Sequence, residues 1–383
     1  MTSRERLATA LAHREPDRIP LDLGSMPFTG IVAVAYRNAV AELGLGLPEP
    51  AIADVKQQLA ACDDRWLEHF EVDTRPIRRG RSAKQTDSIE RAGAYEFFRD
   101  EWHLGWRRPV PDGLYFDLFE HPLQELSLDA LRTWSWPDPT AAVRFDGLVE
   151  EVERLAATDR ALILGGFCAG VWEMSLWLRG YDQFYLDMAA DPELADWLIG
   201  RLVDLKLAYW EQVLGRVGQH VTAVYEADDL GAQEALMVSP GMYRSLVQPH
   251  QRRLFSGIKS YAPHVKLVYH SDGAIFEVIP DLIELGVDAL NPIQVSAAGM
   301  GDTARLKREF GRDLVFWGGS CDSQHTLPHG TPAQVREEVK RRIGDLAPGG
   351  GYVFAPVHNV QADVPPRNFE AWWTTFREEA GYA

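Results

Sequence analysis

The sequence predicts an α/β protein with one domain over residues 1–383, a (β/α)8 TIM barrel with a helical and β-hairpin elaboration near its N-terminus. From Ala141 onward, short apolar strands alternate with amphipathic helices, which indicates a parallel sheet. No stretch rich in Ser, Gly or charge divides the chain, and 46% hydrophobic residues allow one large core. A doubly wound open sheet is the alternative.

The N-terminal region is predicted to run as helix, turn and strand. Thr2 and Glu5 form a capping-box pattern, residues 15–20 end the helix with two prolines, and Leu21–Leu23 is the first apolar run. Residues from about 70 to 125 then place aromatic side chains between turn residues, which indicates a β-hairpin excursion. Because aromatic side chains need a surface to bury against, we expect this excursion to cover a pocket mouth and shape an apolar substrate site. Its aromatic residues are Phe97, Trp102, Trp106, Tyr115, Phe116 and Phe119.

The alternating region contains six predicted strands, and the segments between them carry helix signals. Ser239-Pro240 and Thr331-Pro332 are both typical of a helix start. The predicted strands are Ala161–Gly165, Val221–Tyr225, Val265–Tyr269, Ala289–Asn291, Leu314–Trp317 and Tyr352–Ala355.

Composition excludes several classes of function. The formal net charge is −17, which disfavours nucleic acid as a partner because that binding depends on clustered cations. Three cysteines are too few for a disulfide framework and fit a reducing compartment. The N-terminus resembles a capped helix and not a signal peptide, and no apolar run is long enough to span a membrane, so we expect a soluble cytoplasmic protein.

Polar groups follow the predicted strands, where a barrel carries its functional residues. His270 and Asp272 are two apart, so an extended chain points both to one side, as two metal ligands require. The alternative is that Asp272 caps the following helix and His270 bonds a backbone carbonyl. The polar strand ends are Cys168, Glu226 with Asp228 and Asp229, His270 with Asp272, Gln294, Cys321 with Asp322, and His358 with Asn359.

Seven ordered blocks, which together cover nearly the whole chain, resemble the uroporphyrinogen decarboxylase superfamily, in its branch of corrinoid-dependent methyltransferases. The resemblance implies a (β/α)8 barrel with its site at the carboxyl ends of the strands. The blocks are REPDRIPLDLG (14–24), LWLRGYDQFYLDMAADPEL (176–194), YEADDLGAQ (225–233), SPGMYRSLVQPHQRRLF (239–255), HSDGAIFEVIPDLIELGVDALNPIQ (270–294), FWGGSCDSQHTLPHGTPAQVREEVKRRI (316–343) and GGGYVFAPVHNVQADVPPRN (349–368).

The chain departs from both branches of this superfamily. Decarboxylating members carry an Arg-rich segment after the first strand, whereas residues 21–26 here have nothing to neutralise a polycarboxylate. Methyltransferase members bind zinc through a His-x-Cys pair and a later Cys. The matching positions here are His270, Asp272 and Cys321, so a carboxylate replaces one thiolate.

We therefore predict a catalytic zinc site with mixed donors, formed by His270, Asp272 and Cys321 with Glu226 as a possible fourth ligand. The alternative for Cys321 is packing, since free cysteine is often buried. Asp228, Asp229 and His358 are candidate acid-base residues, and one of the two aspartates is expected to cap the following helix instead.

The expected function is a zinc-dependent methyltransferase that moves a methyl group to or from a corrinoid, with a thiol or a methyl ether or alcohol as the small-molecule substrate. The chain has no Asp-x-His-x-x-Gly stretch for a cobalt ligand, so a partner protein would carry the corrinoid. One alternative is a metal-independent decarboxylase that uses Asp228 or Asp229 with His358. The other is a barrel that binds a small molecule without catalysis.

Overall fold

A parallel sheet of seven strands forms the centre of the computed structural model, which describes residues 1–78 and 88–382. Its strand order is β13-β12-β11-β10-β9-β8-β3, so from β8 onward each strand pairs with the next in sequence. The strands are β1 (Ala51–Asp54), β2 (Leu59–Ala61), β3 (Thr74–Ile77), β4 (Glu90–Ala92), β5 (Tyr95–Arg99), β6 (Gly105–Pro109), β7 (Asp117–Glu120), β8 (Ala161–Gly165), β9 (Ala223–Ala227), β10 (Lys266–His270), β11 (Ala289–Asn291), β12 (Val315–Trp317) and β13 (Tyr352–Val353).

The segment around Leu21 closes the sheet into a barrel. Leu21 forms a parallel bridge to Phe354, just beyond β13. On its other side, the Leu21 carbonyl accepts a hydrogen bond of 2.9 Å from the backbone N–H of Asp73, which precedes β3. Both edges of the sheet are therefore joined through this segment, and the predicted barrel is confirmed over the open sheet.

Helices surround the sheet, and three of them begin where the sequence predicts, with Thr2, Ser239 and Thr331 as N-caps. Thr2 and Glu5 form the capping box of the first helix, and Thr331 caps the helix that starts at Pro332. The helices are α1 (Ser3–Leu11), α2 (Ala33–Glu42), α3 (Asp64–His69), α4 (Leu128–Arg132), α5 (Leu148–Ala156), α6 (Val171–Arg179), α7 (Tyr181–Ala190), α8 (Pro192–Val217), α9 (Pro240–Met242), α10 (Gln248–Tyr261), α11 (Ile279–Glu284), α12 (Thr303–Phe310), α13 (Thr326–His329), α14 (Pro332–Leu346) and α15 (Pro366–Glu379). Short 3-10 turns lie at Ala142–Phe145, Gly218–His220 and Phe276–Val278, and a π-helical turn lies at Tyr243–Val247.

The core has two parts, as alternating strand side chains require. Outward-facing side chains pack against the helices in one large cluster. A smaller cluster fills the barrel interior, where Leu7 and Leu11 of α1 pack with strand residues such as Ala161 and Ala289. These two alanines begin their strands, so α1 covers the N-terminal end of the barrel and leaves the other end for function.

The aromatic excursion forms a four-stranded antiparallel sheet, β4-β5-β6-β7, at the other end of the barrel. Trp102 packs against Phe167, just after β8, with ring centroids 5.3 Å apart. The Tyr115 hydroxyl donates a hydrogen bond to the Gln361 side chain, which lies beyond β13. The excursion therefore lies over the C-terminal end of the barrel as predicted, although its residues 79–87 lie outside the described part of the chain.

Within residues 1–78 and 88–382, no helix combines the length and the apolar character that a membrane span needs.

Candidate functional site

The registers of β9, β10 and β11 bring three strand ends together. His270, the last residue of β10, lies beside Ala227 of β9 and Asn291 of β11. The backbone N–H of Asp228 then donates to the His270 carbonyl at 3.0 Å. Residues that follow these strands therefore share one edge of the barrel.

His270, Asp272 and His358 form a group that could hold a metal ion, with one ligand atom from each lying within 4.8 Å of the others. Asp272 Oδ2 lies 3.8 Å from Nε2 of His270 and 3.8 Å from Nε2 of His358. The structure thus brings together two of the predicted metal ligands and one predicted acid-base residue. We name these three residues the site cluster.

The Asp272 carboxyl is held close to the histidines by its own backbone. Its N–H donates to Asp229 Oδ1 at 2.8 Å, while its buried Oδ1 has no hydrogen-bond partner among the described residues. Gly273 has φ +91°, and a side chain there would meet the backbone of Gly231 at 2.3 Å, so this turn requires glycine. Burial raises the pKa of Asp272 to about 7, with the Asp229 charge acting in the same direction and His270 opposing both.

His358 enters the site from the loop after β13. Neighbouring Asn359 fixes that loop, since its Oδ1 accepts from the Gly30 N–H at 2.8 Å and its Nδ2 donates to Gln57 at 2.7 Å. No described residue forms a hydrogen bond with the His358 ring. Burial lowers the pKa of His358, and the Asp229 charge opposes this shift.

A cavity of about 230 Å³ opens at the site cluster. Seven of its eight described lining residues are polar by type, and the aromatic residues of the excursion, which we expected to shape an apolar site, are not among them. Among the described residues that line it, none is Lys or Arg. The lining residues are Asp272, Gln294, Ser323, Gln324, Val357, His358, Asn359 and Gln361. A larger cavity of about 420 Å³ lies beside Thr2 and Ser3 at the N-terminal end, away from the site cluster.

Glu226, a predicted metal ligand, lies outside the site cluster. Strand β9 extends to Ala227, two residues beyond the predicted strand, so Glu226 lies within the strand and points to its outer face. There it forms a buried ion pair with Lys206 at 2.8 Å and accepts a hydrogen bond from Trp210 Nε1 at 2.6 Å. These contacts already engage both carboxylate oxygens.

The adjacent aspartates have different roles. Asp228 is buried, and its carboxylate accepts bonds from the N–H groups of Trp172 (2.7 Å) and Glu173 (2.9 Å) at the start of α6 and from Gln251 Nε2 (3.1 Å). Burial raises the pKa of Asp228 to about 7, against the effect of these donors. Asp229 instead faces the site, with Oδ1 at 3.7 Å from His270 Nε2. The structure therefore places Asp229 beside the site cluster. Asp228 caps α6, which precedes it in the chain, and not the following helix that we predicted.

Cys321, the predicted thiolate ligand, also lies outside the site cluster. Its thiol points outward to Glu338 of α14, with Sγ 3.7 Å from Oε2. Burial raises the pKa of this thiol, and the Glu338 charge adds to the shift. The site cluster therefore contains neither Glu226 nor Cys321 of the predicted ligand set. Its third member is His358, which was predicted as an acid-base residue.

Sequence reasoning missed two residues near the site. Glu173 lies in the first turn of α6, and its pKa is raised well above the ordinary value by burial and by the charges of Asp229, Asp228 and Asp272. Asn291 accepts a hydrogen bond from the His270 ring, at 2.7 Å from Nδ1. Asn291 ends a predicted strand, so the strand-end rule could have found it, whereas nothing in the pattern distinguished Glu173.

Comparisons with known proteins agree with the fold and the sequence blocks. The sequence profile of "Uroporphyrinogen decarboxylase (URO-D)" matches residues 119–379. The curated uroporphyrinogen decarboxylase of Shewanella frigidimarina is 22% identical, covering 71% of this chain and 76% of its own. The uroporphyrinogen decarboxylase of Alkalilimnicola ehrlichii is 24% identical, and the match covers 95% of this chain and 91% of that relative. A solved methyltransferase structure from Methanosarcina mazei covers 99% of both chains with a TM-score of 0.65 at 15% identity, a likeness of fold.

Proposed function

Because the chain belongs to the uroporphyrinogen decarboxylase family, we propose that it is a zinc-dependent methyltransferase of that family. It would move a methyl group between a small methyl ether, alcohol or thiol and a corrinoid carried by a partner protein. The observation that carries this proposal is the site cluster at a polar cavity without Lys or Arg among its described lining residues. The similarity of fold to a Methanosarcina methyltransferase is consistent with it.

The residues of the site cluster fit a zinc ion. Catalytic zinc sites commonly use three protein ligands, and two histidines with one carboxylate are a known set. The buried Oδ1 of Asp272 lacks a partner among the described residues, and a bound cation would relieve the repulsion between Asp272 and Asp229. When bound, zinc would supply a Lewis acid for a substrate oxygen or a site for a thiolate.

The donor set favours an oxygen substrate over a thiol. Cys321 is engaged with Glu338, so nitrogen and oxygen atoms replace the sulfur ligands that the resemblance implies. A zinc ion held by nitrogen and oxygen donors is a harder Lewis acid than one held by thiolates, so it binds oxygen ligands more favourably. Gln294, Gln324 and Gln361 add neutral amide groups at the cavity, which can orient a hydroxyl or ether group by hydrogen bonds.

The second candidate, a decarboxylase, is favoured by the names of the curated relatives and by the pair of Asp229 and His358. The substrate of such a decarboxylase would have to carry a carboxylate group. The charges at the cavity disfavour such a substrate, because Asp272 and Asp229 are acidic and no described lining residue is a cation.

Two measurements test the proposal. Elemental analysis of protein purified without added metal should find about one zinc per chain, and spectroscopy with free cobalamin and methyl ethers should show zinc-dependent methyl transfer. Full-rate methyl transfer by metal-free protein would remove zinc from the proposal. Carbon dioxide release from a carboxylated substrate without any methyl transfer would instead support the decarboxylase. Ligand binding that survives the loss of His270, with neither reaction, would indicate a non-catalytic barrel.

A further inference from the structure

The two histidines of the site cluster are held differently. His270 is 3% exposed and has contacts on both its edge and its face, whereas the His358 ring has no hydrogen bond to any described residue. On the ring face, Phe28 stacks against His270 with centroids 3.7 Å apart and planes inclined by 12°. The plane of the His270 ring is therefore fixed before any ligand binds.

The edge contact determines where the His270 proton lies. The Asn291 side chain has one oxygen and one NH2 group, and its Nδ2 donates to the Trp317 carbonyl at 3.0 Å. A carbonyl can only accept, so this bond fixes the orientation of the amide. Asn291 Oδ1 then faces His270 Nδ1 at 2.7 Å, and Nδ1 must carry the proton.

We infer that Asn291 is a positioning residue that holds the His270 ring with a proton on Nδ1 and with Nε2 directed at Asp272. Gly318, beside the Trp317 carbonyl, makes room for this arrangement. It has φ +97°, and a side chain there would lie 3.3 Å from Asn291 Nδ2. The proton on Nδ1 follows from the hydrogen bonds alone, whereas a free lone pair on Nε2 and its use in metal binding rest on the proposed function.

The tautomer can be measured directly in metal-free protein by nitrogen NMR of histidine-labelled chain. The His270 signals, identified by their absence in His270→Gln, should show a protonated Nδ1 throughout the pH range in which the protein is folded. Asn291→Leu removes both bonds and should abolish the single tautomer and weaken zinc binding about 10- to 100-fold. Asn291→Asp keeps an acceptor for Nδ1 but loses the donor to Trp317, so it should retain the tautomer with reduced thermal stability.

Asn368→Leu is a matched control, because Asn368 is a buried asparagine that donates to the carbonyls of Leu327 and Gly330 outside the site. It should leave the tautomer and the zinc affinity unchanged. An unprotonated Nδ1 in the wild type would overturn the inference. So would a folded Asn291→Leu protein that keeps the wild-type tautomer and zinc affinity. A wild type with the expected tautomer that binds no zinc would instead contradict the proposed function and leave the role of Asn291 intact.

Discussion

Two polar clusters lie side by side at the C-terminal end of the barrel, and they differ in how far their polar groups are paired. One is the site cluster. The other, which we name the anchor cluster, contains Lys206, Trp210, Glu226, Asp228 and Gln251, all buried and bonded to one another or to backbone.

The contrast between these clusters separates structural from functional polar residues. Every carboxylate oxygen of the anchor cluster has a donor, as burial requires. In the site cluster, Asp272 Oδ1 and the His358 ring have no hydrogen bond to a described residue, so capacity remains for a ligand. The polar strand end from Glu226 to Asp229 supplies two acidic residues of the anchor cluster, and its Asp229 lies beside the site cluster.

The largest expected effect comes from breaking the anchor cluster. Lys206→Met leaves Glu226 buried without its cation and should lower the free energy of unfolding by about 3–5 kcal/mol. Urea denaturation measures this loss. The double variant Lys206→Met/Glu226→Gln removes the unpaired charge and should recover much of it. If the single variant is as stable as wild type, the distinction between the clusters fails.

The next effect concerns the site cluster. His358→Ala removes a proposed ligand that bears no described hydrogen bond, so it should lower zinc affinity at least 100-fold, about 2.7 kcal/mol, while the free energy of unfolding stays within about 1 kcal/mol. Competition with a chelator measures the affinity, and urea denaturation the stability. Stoichiometric zinc at wild-type affinity in this variant would remove His358 from the site.

A smaller effect concerns pH in metal-free protein. The pKa of Asp272 is raised from 3.8 to about 7. Its favourable contribution to the free energy of unfolding is therefore fully present below about pH 4 and is lost as pH rises through about 7. The Asp272→Asn variant has no carboxyl group to titrate at this position, so it should become more stable relative to wild type as pH rises. Because the Asp272 side chain is 25% exposed, we expect the difference in free energy of unfolding between the two proteins to change by only about 1–2 kcal/mol from pH 4 to pH 8. Denaturation at several pH values tests this, and parallel pH curves for the two proteins contradict it.

The smallest effect should come from Cys321→Ser. The thiol contacts Glu338 and not the site cluster, so zinc content and zinc affinity should match those of wild type, with a change in stability of about 1 kcal/mol or less. Elemental analysis beside His358→Ala gives the direct comparison. Loss of zinc in the serine variant would restore the thiolate ligand that the resemblance implies.

The sequence by itself determined the barrel, the capping box of α1, the starts of α9 and α14, and the edge where polar residues collect. These features depend on local periodicity and on residues close together in the chain. It also placed His270 and Asp272 together, because two residues at i and i+2 on an extended chain point the same way.

Only the tertiary structure decided which strand-end residues meet. Strand β9 runs two residues further than its apolar pattern indicated, which turns Glu226 outward, and the glycine-rich turn at Gly318 and Gly319 ends with Cys321 facing α14. His358 reaches the site from a loop that Gln57 and Gly30 hold from distant parts of the chain. Side-chain direction beyond a strand end depends on loop geometry and on packing between distant segments, and local sequence patterns do not encode either.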